Sequence, residues 1–264
     1  MRIAVISDIH ANCFALDIVL AELSRDSVDR IVCLGDTVQG GSQPAQTLRR
    51  LRELGCSIVM GNADAWLLDG NDAIEPTSQQ QRDVRAWTLT QLSADDLNYI
   101  RGFQRTVEVM LGDGRRMLCF HGSPYSYDDV LLPETPRENW DQLLGQSGHE
   151  VLAGGHTHTQ QVRRIREGLF FNPGSIGVAY NYYLPKEQFH TDPWAEYAIL
   201  SCRQGGTSLS FHRVPYDLEK LVTIIQASGR PHFETMVDDY LRGEGAGERL
   251  AFESISPFSK SMQR

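Results

Sequence analysis

With 264 residues and a formal charge of −9 from 25 basic and 34 acidic side chains, the chain is long enough for one substantial core and too acidic to track a long nucleic-acid backbone. No apolar run approaches the roughly 18 residues expected of a membrane helix, and the opening MRIAVISDIH lacks a basic stretch followed by a long apolar one, which predicts a soluble, cytoplasmic protein. The five cysteines, Cys13, Cys33, Cys56, Cys119 and Cys202, are widely spaced in mostly apolar surroundings, as suits reduced packing thiols rather than disulfides or a zinc site.

RIAVIS opens the chain as a strand, and Asn12 then caps a helix whose Phe14, Ile18 and Val19 form an apolar stripe. RIVCLG is a second strand, followed by a helix with Pro44 at its start, Leu48, Leu51 and Leu54 along one face and Gly55 past its end. CSIVMG completes a βαβαβ beginning, which calls for parallel strands with crossover helices. From Asp64 to Phe103 the pattern turns helical and polar, with segments at Trp66 to Leu68, Ser78 to Leu92, and a capping Ser93 and Asp96 before Leu97. This helical insertion, about 64–103, either walls the active site or covers a sheet edge. RTVEVML and RRMLCF flank a Gly112-Asp113-Gly114 turn as a hairpin, and EVLAGG supplies a further strand. QVRRI and GLFF, separated by Arg166 and Glu167, form another hairpin, with EYAILSC and SLSFHRV after it. Helices are predicted from Asp217 to Gln226 and from Glu234 to Leu241, and the last residues read as loosely ordered. No linker, repeat or low-complexity tract divides the chain, so 1–264 reads as a single domain with C-terminal helices about 216–243.

Metal-type ligands stand at the ends of these strands. Asp8 and His10 follow RIAVIS, Asp36 follows RIVCLG, Asn62 follows CSIVMG, His121 follows RRMLCF, and His156 and His158 follow EVLAGG. In an open α/β sheet, groups at the carboxyl ends of strands converge on one crevice, so these seven oxygen and nitrogen donors predict a two-metal site. Gly35, Gly61 and Gly155 read as turns that let the ligands face it. No Gly-rich phosphate loop or nucleophile elbow competes with that chemistry.

The ordered set D-x-H, GD, GN, HG and G-H-x-H resembles the calcineurin-like metallophosphoesterase superfamily. SDIHAN, CLGDTVQGG, MGNAD, CFHGSP, GGHTH and NPGS resemble its small bacterial and archaeal phosphodiesterase branch, over roughly residues 1 to 215. The resemblance implies an α/β (mixed α+β) fold, a four-layer α/β/β/α sandwich of two mixed β-sheets flanked by helices. It implies two divalent ions, with manganese favoured and iron, zinc, nickel or cobalt compatible with the donors. Asp8, His10, Asp36 and His158 would surround one ion and Asp36, Asn62, His121 and His156 the other, with Asp36 bridging. Asp36, Asn62 and His121 would then take part in catalysis, in which a metal-bridging hydroxide attacks phosphorus.

The segment GNAD departs from the family's common GNH followed by an acidic residue: Ala63 stands where a histidine that helps protonate the leaving group is expected. General acid catalysis typically contributes about 10²- to 10⁴-fold, so poor alkoxide leaving groups should suffer most. Activated aryl diesters, phosphoanhydrides or nucleotide-like diesters fit better, and Asp64 is a candidate proton source or a helix-start carboxylate. Tyr125, Tyr127, Tyr180, Tyr182 and Tyr183 can stack on a base or pack loops; Arg82, Arg85, Arg101 and Arg137 are phosphate clamps or solvated charges. His149, His190 and His212 lack motif context, although His149 and Tyr125 can reach the site through loops. Asn172 to Ser175 shape its floor. The function implied is a metal-dependent phosphodiesterase for a small phosphorylated, nucleotide-like substrate. The alternatives are hydrolysis of dinucleoside polyphosphates and a metal-binding scaffold like the retromer subunit that resembles this fold.

Overall fold

The computed structural model describes residues 1–70, 77–144, 147–165, 168–203 and 206–247. β1 (Arg2–Ile6), α1 (Cys13–Arg25), β2 (Arg30–Cys33), α2 (Pro44–Leu54) and β3 (Ser57–Ile58) form the βαβαβ beginning. β1 pairs in parallel with β2, and β2 with β3, so all three strands point their carboxyl ends to one edge. β9 (Trp194–Arg203) lies antiparallel to β1 on its other side, and β10 (Gly206–Pro215) closes the sheet in the order β10-β9-β1-β2-β3. The second sheet has the order β4-β5-β6-β8-β7. It is built from β4 (Val107–Met110), β5 (Arg116–Cys119), β6 (Val151–Ala153), β7 (Gln161–Ile165) and β8 (Gly168–Asn172), of which β5, β6 and β8 run parallel.

The strand sequences are continuously apolar because both of their faces are covered. In β1, Ile3 and Val5 point into the core between the sheets with Val32, Met117, Cys119 and Phe171, whereas Ala4 and Ile6 point outward under helices. α1 covers that outer face through Ala15, Leu16, Val19 and Leu23. The predicted stripe is therefore turned: Phe14 and Ile18 sit at its half-buried margins, because Asn12 accepts the Ala15 N–H at 3.0 Å and fixes where the helix starts. α7 (Leu218–Ala227) and α8 (Phe233–Gly247) join the same layer. α6 (Arg137–Leu144), which the sequence reading did not foresee, covers the second sheet through Trp140 and Leu144 against Leu118, Phe120, Leu152 and Phe170. Its apolar signal is only a few side chains in a polar octet. The result is two mixed five-stranded sheets flanked by helices, in four α/β/β/α layers.

Between β3 and β4 lie α3 (Asn62–Asp69), α4 (Gln79–Gln91) and α5 (Ala94–Arg101); α5 is capped by Ser93 as predicted, and Ser78, read as the start of its segment, caps α4. α3 starts at Asn62 itself, two residues earlier than read from sequence. Both readings of this insertion hold: Leu67 and Ile100 pack on Val38, Leu48 and Met60 at the β3 edge, while α3 and α4 also wall the cleft described below. The hairpin around Gly112 to Gly114 is present. The Arg166–Glu167 turn and residues 248–264 lie outside the described residues. All five cysteines are free, and among the described residues no helix is long and apolar enough to cross a membrane.

Candidate metal centre

The loops that leave β1, β2, β3, β5 and β6 meet at the carboxyl edge of the two sheets, and they carry all seven predicted ligands. Five of these residues adopt left-handed backbone: Asp8 (φ 53°), His10 (45°), Asp36 (51°), His156 (70°) and His158 (52°). Such conformations cost free energy in non-glycine residues and persist only where the surroundings over-determine them. Here the loops are stitched to one another. Asp8 N–H donates to Gly35 O at 3.0 Å, His10 N–H to Asp36 O at 2.9 Å, Gly177 N–H to Asp8 O at 3.0 Å and Gly155 N–H to His121 O at 2.8 Å. Gly35 supplies the predicted turn with φ 101°. Gly61 and Gly155 serve a different purpose: their φ values are not left-handed, but a Cβ would press on Asp36 Oδ1 at Gly61 and on Ser7 Oγ and Asp8 at Gly155.

Two ligand groups result, Asp8 with His10 and His158, and Asp36 with His121 and His156; within each group the donor atoms lie within 4.8 Å of one another. Asp36 Oδ2 stands between them, 3.7 Å from His10 Nε2 and 3.4 Å from His121 Nε2, while its Oδ1 accepts the Ala63 N–H at 2.8 Å. Asn62 Oδ1 is 2.9 Å from His121 Nε2. Three of the imidazoles are oriented from behind: Nδ1 of His10 on Gln39 O (2.8 Å), of His121 on Leu34 O (2.8 Å) and of His158 on Val178 O (2.5 Å). Donation from Nδ1 leaves Nε2 as the free donor atom toward the centre.

Does this set fit a metal? Asp8 Oδ2 accepts from Ser7 Oγ–H (2.5 Å) and His156 N–H (3.2 Å), but Asp8 Oδ1 is buried with no hydrogen-bond partner. It faces His158 Nε2 at 3.3 Å, His10 Nε2 at 3.9 Å and His121 Nε2 at 4.0 Å. His10 Nε2 and His158 Nε2 face each other at 3.1 Å. Buried carboxylate oxygens and converging nitrogen lone pairs are costly without a cation among them, so the donors fit divalent ions.

Without an ion, protons take that place. Burial alone lowers the basicity of His121, yet the charge and hydrogen bond of Asp36 more than reverse this and raise its pKa to about 10. Burial likewise opposes charge on His158, and Asp8 reverses it; burial and the charge on His121 instead push His156 down to about 4. Burial raises both carboxyls, but His158 beside Asp8 and His121 beside Asp36 hold them below the ordinary carboxylate range.

Asp64 is fully buried, accepting from Thr37 N–H (2.9 Å), Thr37 Oγ–H (2.8 Å) and Gly61 N–H (3.3 Å). It braces the turns that present Asp36 and Asn62, in keeping with its reading as a helix-start carboxylate at the beginning of α3. The methyl group of Ala63 lines the cleft beside it. That cleft has a volume of about 930 Å³, with His10, Asp36, Asn62, His156 and His158 at its floor, Asp8 and His121 buried beneath them, and α3, α4 and α8 at its walls.

Of the aromatic candidates, Tyr127 lines the cleft and Tyr180 packs behind it, 4.9 Å from the ring of His158; Tyr125, Tyr182 and Tyr183 are exposed away from it. None of the four candidate arginines lines it: Arg85 reaches Trp66 O, Arg82 reaches Thr77 O, Arg101 reaches Asn98 and Arg137 pairs with Asp141. His149 pairs with Glu108 at 2.7 Å, His190 with Asp192 at 3.5 Å, and His212 stacks on Tyr197, all away from the cleft. Sequence reasoning missed Gln39, Asp128 and Arg230 on its lining. Gln39 Oε1 is buried and unpartnered like Asp8 Oδ1, and burial, with the charge of Asp36, raises Asp128 against the pull of His121. Gln39 lies within CLGDTVQGG without standing out from it, and no motif marks Asp128 or Arg230.

A double-sheet sandwich that gathers two Asp/His donor groups at its strand ends defines a fold with a candidate metal-binding centre. The profile of the calcineurin-like phosphoesterase superfamily domain matches residues 1–204, and the chain belongs to that superfamily, whose members bind divalent metals. It is similar to an uncharacterized protein of Methanocaldococcus jannaschii, 25% identical over 233 residues that span 83% of this chain and 89% of that one. A metallophosphoesterase crystal structure from Sphaerobacter thermophilus is 26% identical, with TM-score 0.68 over 92% of this chain and 99% of the other. A hypothetical protein from Pyrococcus horikoshii shares the fold with TM-score 0.75 at 19% identity, over 90% and 97% of the two chains.

Proposed function

We propose that the chain is a dinuclear metal-dependent phosphodiesterase for a small phosphorylated, nucleotide-like substrate, with Mn²⁺ as the working ion. The observation that carries this reading is the buried, unpartnered Asp8 Oδ1 amid imidazole Nε2 atoms, with Asp36 Oδ2 between the two ligand groups. Asp8, His10, Asp36 and His158 would hold one ion, and Asp36, Asn62, His121 and His156 the other. When bound, such ions supply positive charge for phosphate oxygens and lower the pKa of water toward neutrality.

The chain's own groups set the rest. Backbone carbonyls behind His10, His121 and His158 fix each ring's tautomer and aim. Asp64 holds the Asp36 and Asn62 turns in register. Asp8 and Asp36 supply only two negative charges, so two bound dications would leave the floor positive and would draw an anionic substrate into a cleft of nucleotide-compatible size. Ala63 offers no proton, so leaving groups that depart as stable anions are favoured.

The test is hydrolysis of bis-p-nitrophenyl phosphate by metal-stripped protein before and after Mn²⁺ is restored, with Asp36→Asn as control. Metal-restored turnover absent from the control is expected. No turnover by protein shown to hold two ions sinks the reading.

A further inference from the structure

Beyond residue 204, where the superfamily profile ends, the segment leading into α8 and α8 itself return to the cleft and supply one wall, including Arg230, Thr235, Met236 and Tyr240. Arg230 is 9% exposed and lines the cleft. Its Nε donates to Gly40 O at 2.7 Å, and its Nη1 donates to Pro231 O at 2.9 Å and His232 O at 3.1 Å. Among the described residues Nη2 has no hydrogen-bond partner, and no carboxylate lies within ion-pairing distance of the guanidinium. Asp239, which shares the wall, is engaged 2.8 Å from Arg242 instead. A cation removed from water and held by carbonyl dipoles, with the charge of Asp239 acting on it only from beyond ion-pairing distance, is an unusual arrangement, because buried charges are ordinarily paired directly. Burial accordingly lowers this arginine's pKa to about 10.

The placement is specific. Gly40 adjoins Gln39, whose carbonyl orients the metal-site His10 from behind at 2.8 Å, so Arg230 is seated one residue from the ligand's own support. Across the cleft, Gln80 and Gln81 of α4 face the same space; Gln81 uses its Oε1 on Ser78 N–H at 2.8 Å and keeps its amide N–H groups for another acceptor. Donors on both walls, with one cation that no carboxylate pairs at contact distance, describe an oxyanion subsite beyond the ligand cluster. A guanidinium matches phosphate geometry through paired N–H groups.

We propose that Arg230 anchors a second, non-reacting phosphate of the substrate, so that the preferred substrates carry a di- or oligophosphate chain with one phosphate at the metal floor and another at the C-terminal wall. This rests on the phosphoesterase reading of the floor, and it narrows the substrate class. The anchor also explains why the cleft extends from the ligands to α8, which a single phosphate does not require.

The experiment measures binding of adenosine mono-, di- and triphosphate by calorimetry at fixed free Mn²⁺, for the parent, Arg230→Gln and Arg230→Lys. Charge-assisted hydrogen bonds are worth about 10- to 100-fold in affinity, so one step of the series should show a gain of that order in the parent. Arg230→Gln should flatten that step, and Arg230→Lys should retain part of it. An equal fractional loss for all three nucleotides, or no loss, overturns the anchor and leaves Arg230 as a strut for the Gly40 turn. If Arg230→Gln does not fold, Arg230→Lys decides by the same criterion: a reduced step upholds the proposal, and an unaltered step or uniform loss overturns it. Turnover of bis-p-nitrophenyl phosphate is scored separately. An intact binding step without Mn²⁺-dependent turnover sinks the phosphodiesterase reading and keeps the anion subsite, whereas turnover without the step does the reverse.

Discussion

At the floor of the cleft, the ligand loops have left-handed backbone at Asp8, His10, Asp36, His156 and His158 and are tied to one another by main-chain hydrogen bonds, whereas the walls are ordinary helices that meet through side chains. The floor is buried: Asp8 and His121 are 0% exposed and Asp36 is 3%. The walls are joined in part by an Asp83–His232 pair at 2.8 Å, both side chains more than a third exposed. A floor over-determined by converging strand ends can hold strain and fix ligand positions to fractions of an ångström. Walls held by helix packing can vary in side chain without disturbing it. Substitutions in the floor should therefore affect metal and every substrate together, and those in the walls should change substrate preference.

The largest effect is expected from Asp36→Asn, which weakens the group placed between both ligand sets. Metal content and turnover should fall by more than the roughly 10- to 100-fold cost of losing an outer-shell partner; retained activity would break the comparison at its centre. Ala63→His, at the junction of floor and wall, should raise hydrolysis of diesters with poor alkoxide leaving groups by about 10²-fold, the lower end of general acid catalysis. The aryl diester should gain little, and an equal gain for both would remove the leaving-group argument.

Asp64→Ala leaves the N–H and O–H of Thr37 and the N–H of Gly61 without their acceptor, so Mn²⁺ affinity, read by titration, should weaken about 10- to 100-fold. Unaltered affinity would show that the floor holds without this brace. The pH dependence follows from His121. Its pKa is raised to about 10 in the metal-free protein, so below that pH it carries a proton that an ion must expel. Mn²⁺ affinity should fall at least tenfold per unit as pH drops from 8 to 6, with His121 releasing one proton per binding event and His158, also raised by Asp8, adding to the slope; His156, lowered to about 4, is already neutral there and adds none. A flat profile would remove His121 from the ligand set. The smallest effect belongs to the wall: Asp83→Asn breaks an exposed pair that solvent already screens. KM should move a few-fold at most, with metal content unaltered, and loss of metal would show that wall and floor are not independent.

Much of the floor was legible in the chain because its signals are local. An apolar run with period two or continuous burial, closed by D-x-H, GD, GN, HG or GHTH, marks both the strand and the donor at its end, and Asn12, Ser78, Ser93 and Asp217 mark helix starts within a few residues of the groups they cap. The strand order and four layers then follow from short connections and covered faces. The contact of Asp64 with Thr37, the short helix α6, the cleft positions of Gln39 and Asp128, and the absence from it of Arg82, Arg85, Arg101 and Arg137 were not legible.

Arg230 shows why. Its contact with Gly40 O spans 190 positions in sequence, and Tyr240 reaches Gly177 O across 63. Neither residue stands in a pattern that distinguishes it from its neighbours. Donor identity and strand ends are written in short stretches because backbone hydrogen bonding and side-chain periodicity act over a few residues. Which charge is left unpaired, and which carboxylate oxygen is left without a hydrogen, depends on burial by distant segments, and that is decided only when the tertiary structure removes water from around them.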